Sequence, residues 1–357
     1  MAEASLAELI AQHLTEPLAG LVSELAVPVV FLVATGAEPG LSRMGGAPLM
    51  ADGLVWPRHE AAARAEEIGA RGADPEWIAR HIRADLPLPF VAQIDLTEVS
   101  AEGLPGHGRL LFFYDALAGP YDTGTSFGRV LWDEAPASEA KLRPTPEALI
   151  EADKAYVAQL SAPPEPFILT DEIRAALKET GLTDEEIEEV AAAPPPEPSP
   201  GPHVSPFLTP LVALEAEPGF ALPQACGPDF MQRPALAALC AEDRTDAAWE
   251  AWEAYEAVRW EHQAGRPQIG GPALGEQDDP AWSAAYTELS GEMFVTPEWR
   301  DQSQRIDAEA REWQLLLQMP LSFWISEQNE GTVYFYVRRD DLAARRFERV
   351  ITVYQQT

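Results

Sequence analysis

A glutamine stands at the same place in two apolar runs 225 positions apart: Gln93 in Phe90-Val91-Ala92-Gln93-Ile94-Asp95-Leu96, and Gln318 in Leu315-Leu316-Leu317-Gln318-Met319-Pro320-Leu321. A polar side chain inside an apolar strand must find hydrogen bonds or cost roughly 1–3 kcal/mol. Two kinds of chemistry fit. Each amide bonds backbone at the junction between two similar halves and fixes strand register, or the two amides face a shared cleft with Arg43, Arg109, His262 and Arg266. Basic groups are scarce in this chain, so a cleft built from them would favour an anionic ligand.

The other reactive groups form weaker patterns. Gly124-Thr125-Ser126-Phe127-Gly128 fits the G-x-S-x-G form of a nucleophile elbow, which needs a strand before the serine and a helix after it. Here a strand follows the serine, so the segment reads as a glycine-rich hairpin loop. No G-x-x-x-x-G-K-[ST] or G-x-G-x-x-G pattern cradles a phosphate, and Gly45-Gly46 and Gly270-Gly271 read as turns. The six histidines, at 13, 59, 81, 107, 203 and 262, show no metal-ligand spacing, and the acidic runs lack the order of a calcium loop. No metal, cofactor or catalytic residue is assigned. An enzyme would need groups that converge only in the fold, such as His262 and Asp95. Cys226 and Cys240, fourteen residues apart, lack the spacing of a zinc ribbon or redox pair and read as reduced, buried cytosolic thiols.

Composition narrows the partners. The 357 residues include 58 acidic and 25 basic side chains, a net charge of −33. Nucleic-acid binding needs lysine and arginine to displace condensed counterions, so neither nucleic acid nor an anionic membrane surface suits this chain. A basic protein or a small anion captured in a local basic cleft are the partner classes left. No apolar run approaches the ~20 residues of a membrane span. The opening residues lack the basic start and apolar core of a secretory signal. The expected location is cytoplasmic.

These groups need elements to hold them. Leucines and isoleucines at helical spacing predict an N-terminal helix that Pro17 bends or splits. A strand is expected at Val27–Thr35, and helix over 59–85 with Asp74 as N-cap and Pro75 in the first turn. The apolar runs at 90–96 and 315–321 are each followed by a glycine that opens a second run. These are Gly108-Arg109-Leu110-Leu111-Phe112-Phe113-Tyr114 and Gly331-Thr332-Val333-Tyr334-Phe335-Tyr336, two strands per copy of an internal duplication. Further strands fall near 130–132 and 350–354. Two short helices at 170–180 and 183–192 flank Gly181, the second with a Thr183/Glu186 capping box. A proline-rich run at 194–202 reads as extended linker. Trp249, Trp252, Tyr255 and Trp260 lie on a helical stretch, an aromatic stripe expected to pack in the core.

Arg43-Met44-Gly45-Gly46-Ala47-Pro48, Trp56-Pro57, Pro89-Phe90-Val91-Ala92-Gln93-Ile94-Asp95-Leu96 and Gly108-Arg109-Leu110-Leu111-Phe112-Phe113-Tyr114-Asp115 resemble the first half of the YwqG-like family, a bacterial domain of unknown function. His262-Gln263-Ala264-Gly265-Arg266-Pro267 and the stretches 313–318 and 331–347 resemble its second half. Ala264-Gly265-Arg266-Pro267 departs from the family's Leu-Gly-Tyr-Pro, and Gln328-Asn329-Glu330-Gly331 from its Trp-Gly-Asp-x-Gly loop. The resemblance implies a mainly β, internally duplicated β-roll with helical decorations, and the element pattern with its N-terminal helix reads as α+β, mainly antiparallel β. The expected division is a helical segment at 1–26 and one domain at 27–355. That domain comprises a first half at 27–135, a helical and proline-rich insert at 160–205, and a second half at 206–355. The resemblance implies no activity. The expected function is a non-enzymatic cytosolic binding protein whose acidic surface takes a basic protein, with anionic-ligand binding second and an unrecognised enzyme third.

Overall fold

The computed structural model describes residues 4–161, 169–192 and 204–357. The proline-rich run 194–202 and His203 lie outside them. The strands are β1 (Val27–Thr35), β2 (Arg43–Met44), β3 (Leu49–Met50), β4 (Phe90–Asp95), β5 (Arg109–Tyr114), β6 (Gly128–Asp133), β7 (Lys141–Leu142), β8 (Val212–Ala221), β9 (Gln268–Ile269), β10 (Trp313–Pro320), β11 (Thr332–Arg338) and β12 (Ile351–Gln355). Short β3 and β7 pair with each other, and the rest form one 10-stranded sheet in the order β12-β11-β10-β9-β1-β8-β2-β4-β5-β6. The described pairings within this sheet are antiparallel. The fold is α+β, mainly antiparallel β.

That order reads the same from both ends. β2, β4, β5 and β6 have their counterparts in β9, β10, β11 and β12, and β1 and β8 pair with each other at the centre. The central strands are exchanged: β1 also pairs with β9 and β8 with β2, so each half completes the sheet of the other. The two outer ends approach through paired Gly124 and Thr352, whose backbones exchange hydrogen bonds of 3.0 and 2.8 Å and nearly close the sheet into a barrel. A Cβ at Gly128 would overlap Thr352 Cγ2, which is why the loop around Ser126 must be glycine there. Ser126 precedes β6 with no helix after it, as a hairpin loop requires and a nucleophile elbow does not.

The repeated apolar runs do not alternate because both of their faces are covered. Leu110, Phe112 and Tyr114 of β5 meet Val333, Phe335 and Val337 of β11 inside the barrel. Phe112 and its counterpart Phe335 touch edge to face at 5.1 Å. Burying such side chains stabilises by roughly 1.5–3 kcal/mol each. Outside, Leu111 and Phe113 lie under Met50, Leu54 and Trp56, whereas Tyr334 and Tyr336 lie under the helices Pro280–Ser290 and Ser303–Ala310. The two copies share a barrel lining and differ in their outer cover.

The helices follow local signals. Ser5 and Glu8 form a capping box, Leu14 to Pro17 separates the helices Leu6–His13 and Leu18–Ser23, and Asp74 caps Trp77 N–H at 3.0 Å with Pro75 in the first turn. Thr183 and Glu186 form their capping box as well. Leu6, Leu9 and Ile10 pack against Tyr255 and Val258 of the helix Asp246–Gln263.

Two expectations are corrected. Cys226 and Cys240 are bonded to each other, Cα to Cα 5.6 Å, because the short turns of 228–240 fold back on themselves; Cys226 is exposed and Cys240 half-buried. The aromatic stripe is core only in part. Tyr255 is fully buried and Trp252 half-buried, but Trp249 and Trp260 are 44% and 36% exposed. Eleven residues of helix turn them to within about 20° of each other on the solvent face, while Tyr255 points inward.

The two glutamines occupy equivalent places. Gln93 Oε1 accepts from Leu49 N–H at 2.8 Å and its Nε2 donates to Leu41 O at 2.7 Å. Gln318 Oε1 accepts from Leu274 N–H at 2.8 Å and its Nε2 donates to Arg266 O at 3.3 Å. Each amide clasps a segment that contains a two-residue strand and a Gly-Gly turn with φ near +60 to +70°. Gln93→Leu or Gln318→Leu strands one buried N–H and one carbonyl, so each should destabilise by roughly 1–3 kcal/mol. Urea unfolding measures this, and an unchanged midpoint would remove the clasp from the account of the fold.

Candidate functional site

The six residues singled out by sequence divide between the halves. Arg43 lies on β2 beside Gln93, and Arg109 on β5 beside Asp95. His262, Arg266 and Gln318 belong to the other half, with β9, β1, β8 and β2 between the two glutamines. Neither described cavity is lined by all six.

The first-half arginines are occupied by the fold. Arg43 is 7% exposed and donates through Nε to Gly40 O at 2.8 Å and through Nη2 to Pro39 O at 3.2 Å, and burial pushes its pKa down. Arg109 Nη2 bonds Asp133 Oδ2 at 2.6 Å, both side chains 2% exposed, and the same oxygen accepts from Ala51 N–H at 2.9 Å. A buried charge without its partner is costly, so this pair ties β5 to β6 and to the loop after β3.

His262 and Arg266 do come together. They line an open cleft of about 660 Å³ with Leu32, Glu217, Pro267 and Phe323. His262 Nε2 donates to Phe220 O at 2.9 Å and its ring meets Phe31 edge-on at 5.6 Å. The Arg266 guanidinium lies 3.7 Å above the Phe31 ring and donates to His262 O at 3.3 Å. Glu217 puts a carboxylate in the same cleft. His262 and Asp95 do not converge: Asp95 Oδ1 accepts from Thr97 N–H and Oγ1, both at 2.9 Å.

A histidine–carboxylate pair does exist elsewhere. His81, on the helix Pro75–Arg83, places Nε2 2.8 Å from Asp115 Oδ2, at the end of β5. Nothing in the spacing of residues 81 and 115 marks them as neighbours; the helical insert brings them together. Asp115 Oδ1 accepts from Leu117 and Ala118 N–H at 2.9 and 3.1 Å, and neither residue lines a described cavity. The pair locks the insert to the barrel. Among the described residues no group of histidines, cysteines and carboxylates could hold a metal ion. Among the described residues no helix is long and apolar enough to cross a membrane.

The pair sets a pH window. Burial pulls the His81 pKa down, but the Asp115 charge and hydrogen bond outweigh it and hold the ring above 6.5. Burial likewise works to raise Asp115, but His81 and the two N–H donors hold it below 3.8. The histidine contribution is complete below pH 6.5 and lost as pH rises through its raised value. The aspartate contribution is present above pH 3.8 and lost as pH falls through its lowered value. The stability difference between wild type and Asp115→Asn should therefore peak between about pH 4 and 6.5. A difference flat from pH 3 to 9 in unfolding titrations would show that the pair is not coupled.

Residues 42–355 match the model of DUF1963, a domain of unknown function. No curated protein matches the chain. The match takes in β2 through β12, both glutamines, His262 and Arg266, and leaves outside it the N-terminal helices and β1. The chain belongs to the DUF1963 family.

Proposed function

We propose that this DUF1963 protein, in its YwqG-like form, is a non-enzymatic binding protein whose acidic surface docks a basic protein. The observation that supports this is the acidic, aromatic face of the helix Asp246–Gln263, where exposed Trp249 and Trp260 stand among exposed Glu250, Glu253 and Glu261. The two residues lie about 16 Å apart along the helix axis at 1.5 Å per residue. Aromatic anchors inside a charged rim are the usual anatomy of a docking face. Many cations of the chain already face carboxylates within it. Arg64 and Arg71 meet Asp122, Arg259 meets Glu256, Arg338 meets Glu309, and Arg346 and Arg349 meet Asp341. The excess acid is thus left to the surface, where it would steer a basic partner.

A second reading takes an anionic small molecule into the cleft of His262 and Arg266. Those two basic groups favour it, and Glu217 in the same cleft opposes it. We propose no reaction. The division of the chain at residue 26 into a helical segment and a domain of two halves with an insert is part of the proposal. So is a cytoplasmic location, which requires the Cys226–Cys240 pair to be found reduced in the cell, because disulfides persist in oxidising compartments.

The test is capture from lysate on the immobilised full chain, with elution from ~50 to ~500 mM salt. The expected result is a basic protein that elutes as salt rises and is not retained by a Glu250→Lys/Glu253→Lys/Trp260→Ala variant. Equal retention by that variant, or retention indifferent to salt, would overturn the docking assignment.

A further inference from the structure

A cavity of about 430 Å³ opens beside β10 and β11 of the second half, with Val27, Pro28, Ala101 and Glu102 of the first half also lining it, and it shares no lining residue with the His262 cleft. Its floor is β10 and β11, and one side is the start of the helix Pro280–Ser290. Pro28, Ala281 and Leu315 give it apolar walls. Two polar side chains lie within. Tyr336, only 3% exposed, lines the cavity, and its hydroxyl bonds nothing among the described residues. Asp279 caps the helix by accepting from Ala281 N–H through Oδ1 at 3.0 Å, and its Oδ2 makes no hydrogen bond among the described residues. Trp313 adds an aromatic wall, and its buried indole N–H also lacks a partner there.

The other copy shows that this polarity is not imposed by the barrel. The counterpart of Tyr336 is Phe113, which Trp56 covers at 5.4 Å, and the Trp56 indole is satisfied by Leu88 O at 2.9 Å. One half closes this face with an apolar cover. The other leaves a cavity with a phenol, an indole and a carboxylate.

The sign of the charge selects the ligand. Arg311 and Arg339 line the cavity but are exposed, and Arg339 is turned to Gln314 Oε1, Arg311 O and the Glu102 carboxylate. Asp279 stands deeper, with Asp278 and Asp307 adding negative charge around it and Arg259 opposing them. Burial and those acids push its carboxyl upward, as expected of a carboxylate short of cation. We propose that this cavity binds a small organic ammonium, its cation on Asp279 and its apolar body against Tyr336 and Trp313. A carboxylate beside aromatic walls is the chemistry that recognises such cations, and the volume suits a compact organic molecule. The net charge of −33 would concentrate cations near the chain.

Phenethylamine, an ammonium at neutral pH, is the probe, with 2-phenylethanol and phenylacetate as its neutral and anionic matches, titrated calorimetrically into the full chain at ~150 mM salt. One-to-one binding of the amine is expected, with both matches weaker by about tenfold or more. Asp279→Asn preserves the helix cap, since asparagine caps as well as aspartate, so the unfolding midpoint should hold while amine affinity falls about tenfold. Phenylacetate binding as tightly as the amine, or Asp279→Asn taking up the amine like wild type, would overturn the proposal. The second result would assign the uptake to the acidic surface at large. Neither result bears on the docking face of the helix Asp246–Gln263.

Discussion

Everything in this barrel depends on a buried amide that must be satisfied. Gln93 and Gln318 each interrupt an apolar strand, and water does not reach them. Both find their partners in backbone. Each side chain therefore fixes two points on one neighbouring segment, 41 with 49 and 266 with 274, and the two-residue strands and Gly-Gly turns between those points have one conformation available. At Gly45 a Cβ would overlap Pro210 O, and at Gly271 it would overlap Val29 Cγ1, so the turns need positive φ and also the missing side chain. From the clasped segments β2 and β9 the sheet extends inward to the exchanged strands β8 and β1. A slip by one residue in either place would turn barrel side chains outward.

The parts of this fold legible in sequence are those whose side chains record their surroundings. β4, β5, β10 and β11 are apolar along most of their length because both faces are covered, and the repeat stands out for that reason. Capping signals at Asp74-Pro75 and Thr183-Glu186 are local chemistry and can be read without the fold. β8 is the contrary case. Its sequence carries Glu215, Glu217, Pro218 and Gly219, which argue against a central strand, yet it pairs with β1 along its length from Ala213 to Ala221. It is central in pairing order but partly open to solvent, so polar residues are tolerated. The two-residue strands β2 and β9 are too short for any periodicity.

The candidate sites were legible to a smaller degree. The glutamines were marked by position, and one of the two readings they allow, bonding to backbone, describes their contacts. Arg43 and Arg109 stand out by charge, but charge does not distinguish an arginine that meets a ligand from one that holds a loop or a buried aspartate. His262 and Arg266 are neighbours because four residues at the end of a helix keep them so. His81 with Asp115, and Asp279 with Tyr336, are brought together by an insert and by a helix cap that no spacing encodes. The disulfide was missed because fourteen residues is an uninformative separation; the compact turns of 228–240 decide it.

Duplication gives the two halves the same constraint and different freedom. The barrel lining is bound by contacts such as Phe112 on Phe335, where a change in one copy must be met in the other. The outer faces carry no such tie. Over Phe113 a tryptophan closes the surface, whereas over Tyr336 two helices arrive and one begins with an aspartate beside the space they leave. A similar separation holds for charge. The deepest ion pairs, such as Arg109 with Asp133, serve the barrel, while carboxylates accumulate on the helices added outside it. Function in such an architecture is expected on the faces that the repeat leaves unconstrained, because change there does not have to be matched across the barrel.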